Sequence, residues 1–259
     1  MTLSGNIKKK GGQQMDSKLF EQVERKAEIL IDALPYIRDF NRQVAVIEYG
    51  CRKYLSPVAE QELMRDIALL KTVGMKPVVV HGAPMGVDKF RENKRVAKLL
   101  ELCGTKAVGI CGMDMETPAI MLENGYIPVI MPNDIDTEDV EIDPVDAALE
   151  VAVGLGADKL VYVSSHRGIW KDEERTEVYS HLTVEKIQEL LKEGKVTEGV
   201  IARVERGLTA IEKGVNRVNL LDGRMEHALL LEFFSVAGVG TVMIKDEQSM
   251  YAHEYDKKE

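Results

Sequence analysis

Val44-Ala45-Val46-Ile47-Glu48-Tyr49-Gly50-Cys51 is the stretch whose reading decides the fold. A short β-branched run ending in Tyr-Gly reads as a buried first strand feeding a tight, glycine-based turn. The pattern repeats downstream, alternating with helices. Pro57–Val73 reads as an amphipathic helix ended by Gly74, Pro77–Val80 as a strand, and Asp88–Leu102 as a helix with Gly104 at its C-cap. Lys106–Ile110, Ile127–Met131 and Lys159–Ser164 follow as strands, with a helix over Pro144–Leu155 stopped by Gly156. Helices over Val184–Glu193, Gly199–Lys213 and Glu226–Phe234 are interleaved with strands at Val218–Leu221 and Thr241–Ile244. This spacing predicts an α/β fold, a mostly parallel open sheet with helices on both faces.

Upstream, apolar residues recur at helical spacing between Asp16 and Phe40 (Leu19, Val23, Ala27, Leu30, Leu34). They predict an extra N-terminal helix, broken or kinked by Pro35. The polar, glycine-containing residues 1–15 are expected to be disordered, and residues 246–259 to form a flexible tail. Between them residues 16–245 form one domain, with an N-lobe over 41–131 and a C-lobe over 132–245. A chain of 259 residues, 45% hydrophobic and 30% charged, suffices for one large α/β core or two lobes of one. No apolar run is long enough to cross a bilayer and no signal peptide is visible, so a cytoplasmic location is expected. A net charge of −9 with dispersed lysines and arginines argues against a nucleic-acid partner. Cys51, Cys103 and Cys111 form no CxxC pair. They read as reduced thiols, Cys103 at a helix end; the other reading gives Cys51 and Cys111 a metal or redox role.

Several segments, in order, resemble the amino-acid kinase family and within it N-acetylglutamate kinases. They are Val44–Cys51, Lys76-Pro77-Val78-Val79-Val80-His81-Gly82, Lys106–Asp114 (KAVGICGMD), Gly125–Ile130 (GYIPVI), and Asp222–Glu232 (DGRMEHALLLE) followed by Gly238–Thr241. The resemblance runs from Lys26 to about Lys245 and implies the amino-acid kinase fold. It also implies phosphoryl transfer from ATP with magnesium to a carboxyl group, and a place in arginine biosynthesis.

The positions that carry the family's chemistry depart from its pattern. Glu48 stands where the family has a lysine that touches the transferred phosphate, and a carboxylate there repels a triphosphate. Cys51 and Ala83 replace loop glycines, leaving Gly50 and Gly82 for the nucleotide. Pro144-Val145-Asp146 replaces Asn-Ala-Asp, so the substrate asparagine is lost while the organising aspartate remains as Asp146. Arg203 stands for the second lysine, keeping the charge in a planar fork. Ser164-Ser165 replaces Thr-Asp in the nucleotide loop, and Ser164, Arg167 and Gly168 remain as phosphate contacts or as a loop without that role. Only residues 82–92 separate His81 from Asn93, where the family carries a lid hairpin and a dimer helix. These changes imply an inactive, ligand-binding or regulatory relative. The alternative is an active kinase on the same or another carboxylate, with Asp146 and Arg203 carrying the site. A third reading places new acid/base or metal chemistry on Glu48, His81 and Asp114. Nucleotide binding is expected to be weak. The ligand is a nucleotide or an amino acid; the partner is a second copy of the chain or an active paralogue. His227 stands at a position that contacts arginine in arginine-sensitive members, or simply packs on a neighbouring helix. Glu232 reads as a solvated helix acid. No protein-bound metal site is expected.

Overall fold

Strands buried on both faces read as near-continuous apolar runs, because helices cover the sheet from either side. That character marks β1 (Val44–Tyr49), β2 (Lys76–His81), β4 (Ile127–Met131) and β5 (Lys159–Ser164), each almost wholly buried. The computed structural model describes residues 17–50, 55–132, 142–235 and 238–251. With β3 (Ala107–Cys111), β6 (His181–Thr183), β7 (Arg217–Asp222) and β8 (Thr241–Ile244) the strands form one eight-stranded sheet, ordered β3-β4-β2-β1-β5-β7-β8-β6. Pairing is parallel except between β7 and β8, so the mostly parallel sheet expected from the alternation is what forms.

Strand parity divides the core into two layers. Val46, Val78, Val80, Leu160 and Tyr162 face α5 (Pro144–Gly154), α6 (Val184–Lys192) and α7 (Glu198–Glu212). Ala45, Ile47, Tyr49, Val79 and Val161 face α2 (Pro57–Thr72), α3 (Lys89–Leu102) and α8 (Ala228–Phe234). Local chemistry sets where the helices begin. Ser56 caps α2 by accepting from the Ala59 amide, Asp88 caps α3 from Arg91, and Asp143 caps α5 from Val145. Gly74, Gly104 and Gly156 follow helix ends at φ of +100°, +84° and +58°.

The described residues divide into two compact units, one ending at Pro35 and the other beginning at Tyr36. Helix α1 (Ser17–Phe40) continues through Pro35, where a break or kink was expected. Proline removes one i→i−4 bond, a cost that burial beyond it offsets: Tyr36 and Phe40 join the core of the second unit. Three elements were not expected: α4 (Glu116–Glu123), β6 and a 3₁₀ turn η1 (Glu247–Ser249). The C-terminal tail, expected to be flexible from 246, is held at least as far as residue 251. Arg217 donates to the Ser249 carbonyl at 2.7 Å, and its guanidinium lies 3.6 Å above the Tyr251 ring. The expectations for residues 1–15, Cys51 and residues 252–259 lie outside the described residues. Among those described, no helix is long and apolar enough to cross a membrane.

Candidate ligand cleft at the carboxyl ends of the central strands

In open α/β sheets ligands bind beyond the carboxyl ends of the strands. Here β1, β2 and β4 end at a cleft of about 500 Å³. Its lining includes Glu48, Gly82, Lys89, Asp143, Pro144 and Arg203. Glu48 is the penultimate residue of β1, and parity aims it at the α5/α7 layer beside Val80 and Tyr162 of the flanking strands. It is wholly buried, and Arg203 of α7 stands beside it with Nε 3.5 Å from Oε2. That separation is long for an ion pair. Among the described residues, neither Glu48 oxygen nor Arg203 Nε has a hydrogen-bond partner. Burial pushes the Glu48 carboxyl up to about 7 against the opposing pull of Arg203, and the nearby Asp143 adds to the rise.

The glycines keep the cleft open. A methyl on Gly50 would stand 3.3 Å from Glu48 Oε1 and 3.4 Å from an Arg203 nitrogen; one on Gly82 would meet Pro144 Cγ at 2.9 Å. Glu48, Gly50, Gly82 and Arg203 are thus brought together as the family pattern implies.

Asp146 is not joined to Arg203. It accepts from Arg206 Nε at 2.6 Å, one helical turn further along α7, and is almost half exposed. Ser164 is buried and accepts from the His166 amide at 3.1 Å. Arg167 donates through Nε to the Val239 carbonyl at 3.0 Å. Gly168, at φ +151°, lies so close to Thr241 that a side chain would collide with it, and the next amide donates to Thr241 Oγ1. Both residues dock this loop on β8.

Glu48, His81 and Asp114 do not form one site. His81 has the opposite parity from Glu48 and lies beside Tyr49. Its Nδ1 donates to the Gly82 carbonyl at 2.9 Å, and burial lowers the imidazole to about 4, so it is neutral at pH 7. Asp114 is exposed and accepts from the Glu116 and Thr117 amides at the start of α4. Among the described residues no His, Cys, Asp or Glu cluster suits a metal. Cys111 is a half-buried free thiol, raised by burial.

His227 precedes α8 in the left-handed region and pairs through Nδ1 with buried Asp66 of α2 at 2.8 Å. This hydrogen bond raises the imidazole above its usual value. Of the two readings for His227, the structure displays the packing contact. Glu232 is not a solvated acid. It accepts from Asn219 Nδ2 at 2.9 Å and from the Val239 and Gly240 amides at 2.8 and 3.1 Å. The spacing of residues 219, 232 and 239 carries no sign of this tether.

Sequence reasoning passed over Lys89 and Asp143 in the cleft, and also Lys159. Lys159 is buried, its Nζ 4.3 Å from the Phe40 centroid and 4.9 Å from that of Tyr251, whose hydroxyl it meets at 3.2 Å. Aromatic faces offset the cost of burying such a cation. The cavity here is about 30 Å³, room for roughly one water.

Residues 110–222 match the model of the Amino acid kinase family. An acetylglutamate kinase of Halothermothrix orenii is 32% identical over 291 residues, covering 87% of this chain and 99% of that protein. One from Carboxydothermus hydrogenoformans is 30% identical, covering 86% and 99%. The matched span of 291 residues exceeds the chain's own 259, so both alignments cross positions that this chain lacks. In the structure, only residues 82–88 connect β2 to α3, with no hairpin among them. Among solved structures, N-acetylglutamate synthase of Neisseria gonorrhoeae, complexed with coenzyme A and N-acetyl-glutamate, superposes at a TM-score of 0.74 and 21% identity. The match covers 85% of this chain and 63% of the synthase, so this chain spans less than two thirds of that protein. Carbamate kinase of Giardia lamblia bound to AMP-PNP matches at a TM-score of 0.62 and 12% identity, over 79% of this chain.

Proposed function

The chain belongs to the amino-acid kinase family, and from that premise we propose that it binds a small acidic ligand or nucleotide without transferring phosphate. It acts as a ligand-binding or regulatory relative of acetylglutamate kinase. One observation carries this reading: a carboxyl, Glu48, is buried on the cleft floor with Arg203 Nε only 3.5 Å away. A phosphoryl group entering this cleft meets Arg203 with a carboxyl directly behind it, where catalysis needs a concentration of positive charge. The short β2–α3 connection supports the same reading, since residues 82–88 supply no hairpin lid over an acceptor.

A second reading is an active kinase for a carboxyl-group acceptor, using ATP and magnesium. The 32% identity to an acetylglutamate kinase favours it. Lys89 and Arg203 would then carry the phosphoryl charge, with Asp146 held beside α7 by Arg206.

Calorimetric titration separates the two. We expect ADP to bind at least as tightly as ATP with magnesium present, because the γ-phosphate gains nothing beside Glu48. ATP binding tenfold tighter than ADP under those conditions would favour the active kinase.

The reading also includes a cytosolic homo-oligomer or a complex with an active paralogue. Helix α1 exposes Ile31 and Leu34, which suits an interface between subunits. Removing residues 1–26 and introducing Ile31→Glu and Leu34→Glu is expected to yield a smaller, still folded species in light scattering. An unchanged mass would exclude α1 as the contact.

A further inference from the structure

We infer that Glu48 is an internal competitor for Arg203: an anionic ligand entering the cleft takes the guanidinium from Glu48, and Glu48 takes up a proton as the ligand binds. This rests on the ligand-binding reading of the cleft and adds its regulation.

Three features of the geometry point there. The first is layering. Arg203 is 15% exposed and Glu48 not at all, so an incoming carboxylate or phosphate meets the guanidinium before the acid. The second is unused capacity. The pair is separated by 3.5 Å rather than joined by short parallel bonds, and Arg203 Nε has no acceptor among the described residues. A guanidinium held this loosely retains donors for a ligand oxygen.

The third is the absence, among the described residues, of an alternative counter-ion. From β2 and β5 the register neighbours of Glu48 are Val80 and Tyr162. The Tyr162 hydroxyl donates to the Val145 carbonyl, so it is not turned to Glu48. From α5 the charged neighbour is Asp143, which repels it. Asp146 and Arg206, further along α5 and α7, pair with each other. Lys89 lines the same cleft from α3 but makes no hydrogen bond to either Glu48 oxygen. Once Arg203 turns to a ligand, an ionised Glu48 would be a buried, uncompensated charge, and such a group neutralises itself instead. Its carboxyl already sits near 7, so one proton suffices close to neutral pH.

The proton balance is simple. The ligand anion replaces the Glu48 carboxylate as partner of Arg203, and one proton from solvent converts that carboxylate to the neutral acid. Affinity then falls about tenfold per pH unit above the Glu48 midpoint.

The test is calorimetry on the full chain at pH 7.5, in two buffers of different ionisation heat. Acetylglutamate serves as the carboxylate probe, inorganic phosphate and ADP as phosphate probes. We expect uptake approaching one proton per bound probe. With Glu48→Gln the uptake and the pH dependence that remain after the probe's own ionisation is subtracted should vanish, while affinity at pH 8 equals or exceeds that of the wild type. Whichever probe binds identifies which kind of anion the cleft accepts. Binding without proton uptake, or uptake that persists in Glu48→Gln, overturns the inference while leaving a ligand-binding cleft in place. If no probe binds even at pH 6, the ligand-binding reading itself fails and the inference with it.

A measurement without ligand guards against a variant that folds poorly. An acid whose folded-state value is raised loses stability for the fold as pH rises from its unfolded value toward the raised one. Glu48→Gln should therefore gain on the wild type in melting temperature between pH 5 and pH 8. A difference that is flat with pH would show that Glu48 does not titrate in this range, and would overturn the inference.

Discussion

Given MgATP and acetylglutamate, the purified protein is expected to release ADP no faster than background. Ordinary enzymes turn over at about 10 s⁻¹. Losing one charge-stabilising group at a transition state costs about 3–4 kcal/mol, or 10²–10³ in rate. On the family resemblance Glu48 stands where a cation would, and Arg203 has that same carboxyl 3.5 Å away. Two such losses predict turnover below about 10⁻³ s⁻¹, even though effects at one site do not add strictly. Replacing both residues, Glu48→Lys with Arg203→Lys, is not expected to restore activity. Residues 82–88 run directly from β2 to α3, with no hairpin there to cover an acceptor. A coupled ADP assay decides the matter. Turnover near 10 s⁻¹ in the wild type would overturn the inactive reading. Restoration in the double variant would show that the lid is not required.

Arg95→Ala is expected to destabilise the fold by about 3–5 kcal/mol, the usual result of stranding buried charge. Arg95 of α3 donates to both oxygens of Glu60 on α2, at 2.6 and 2.9 Å, and to both oxygens of Glu92, at 2.8 and 2.9 Å. The two carboxylates are 4% and 3% exposed, so water cannot take over Arg95's role. Tyr49 adds a hydrogen bond to Glu60 at 3.2 Å, tying the network to the end of β1, next to Glu48. Lys98→Ala, on the same helix, breaks only an exposed pair with Glu101 and should change stability by about 0.5 kcal/mol or less. Urea unfolding at pH 7 compares the two. A cost below about 1 kcal/mol for Arg95→Ala would mean that the carboxylates find water or protons easily.

The sequence by itself determined most strands of the sheet and its mostly parallel character. Bounds for β1, β4, β5 and β8 coincide with the apolar runs read from residues 44–49, 127–131, 159–164 and 241–244. Those signals are local: β-branched runs, helical periodicity, and glycine just past a helix end. The elements it missed lack such signals. Helix α4 is short, carries Pro118 in its first turn, and has at its N-cap Met115, whose side chain makes no capping bond. Strand β6 has three residues and gains its identity only from β8, whose register pairs His181 with Val242.

The family motifs located Glu48, Gly50, Gly82 and Arg203, which the fold does bring to one cleft. Motifs could not show which charge meets which. Arg203 and Arg206 lie one turn apart on the same face of α7, equally placed in sequence to meet Asp146. Only the packing of α7 against α5 decided that Arg206 takes Asp146 while Arg203 stands beside Glu48. In the same way, strand parity rather than residue type separated His81 from Glu48, because neighbouring positions in paired strands point to opposite faces. Partner choice is a long-range property: it depends on which surfaces the folded layers bring within about 4 Å, and residue order along the chain does not encode that distance.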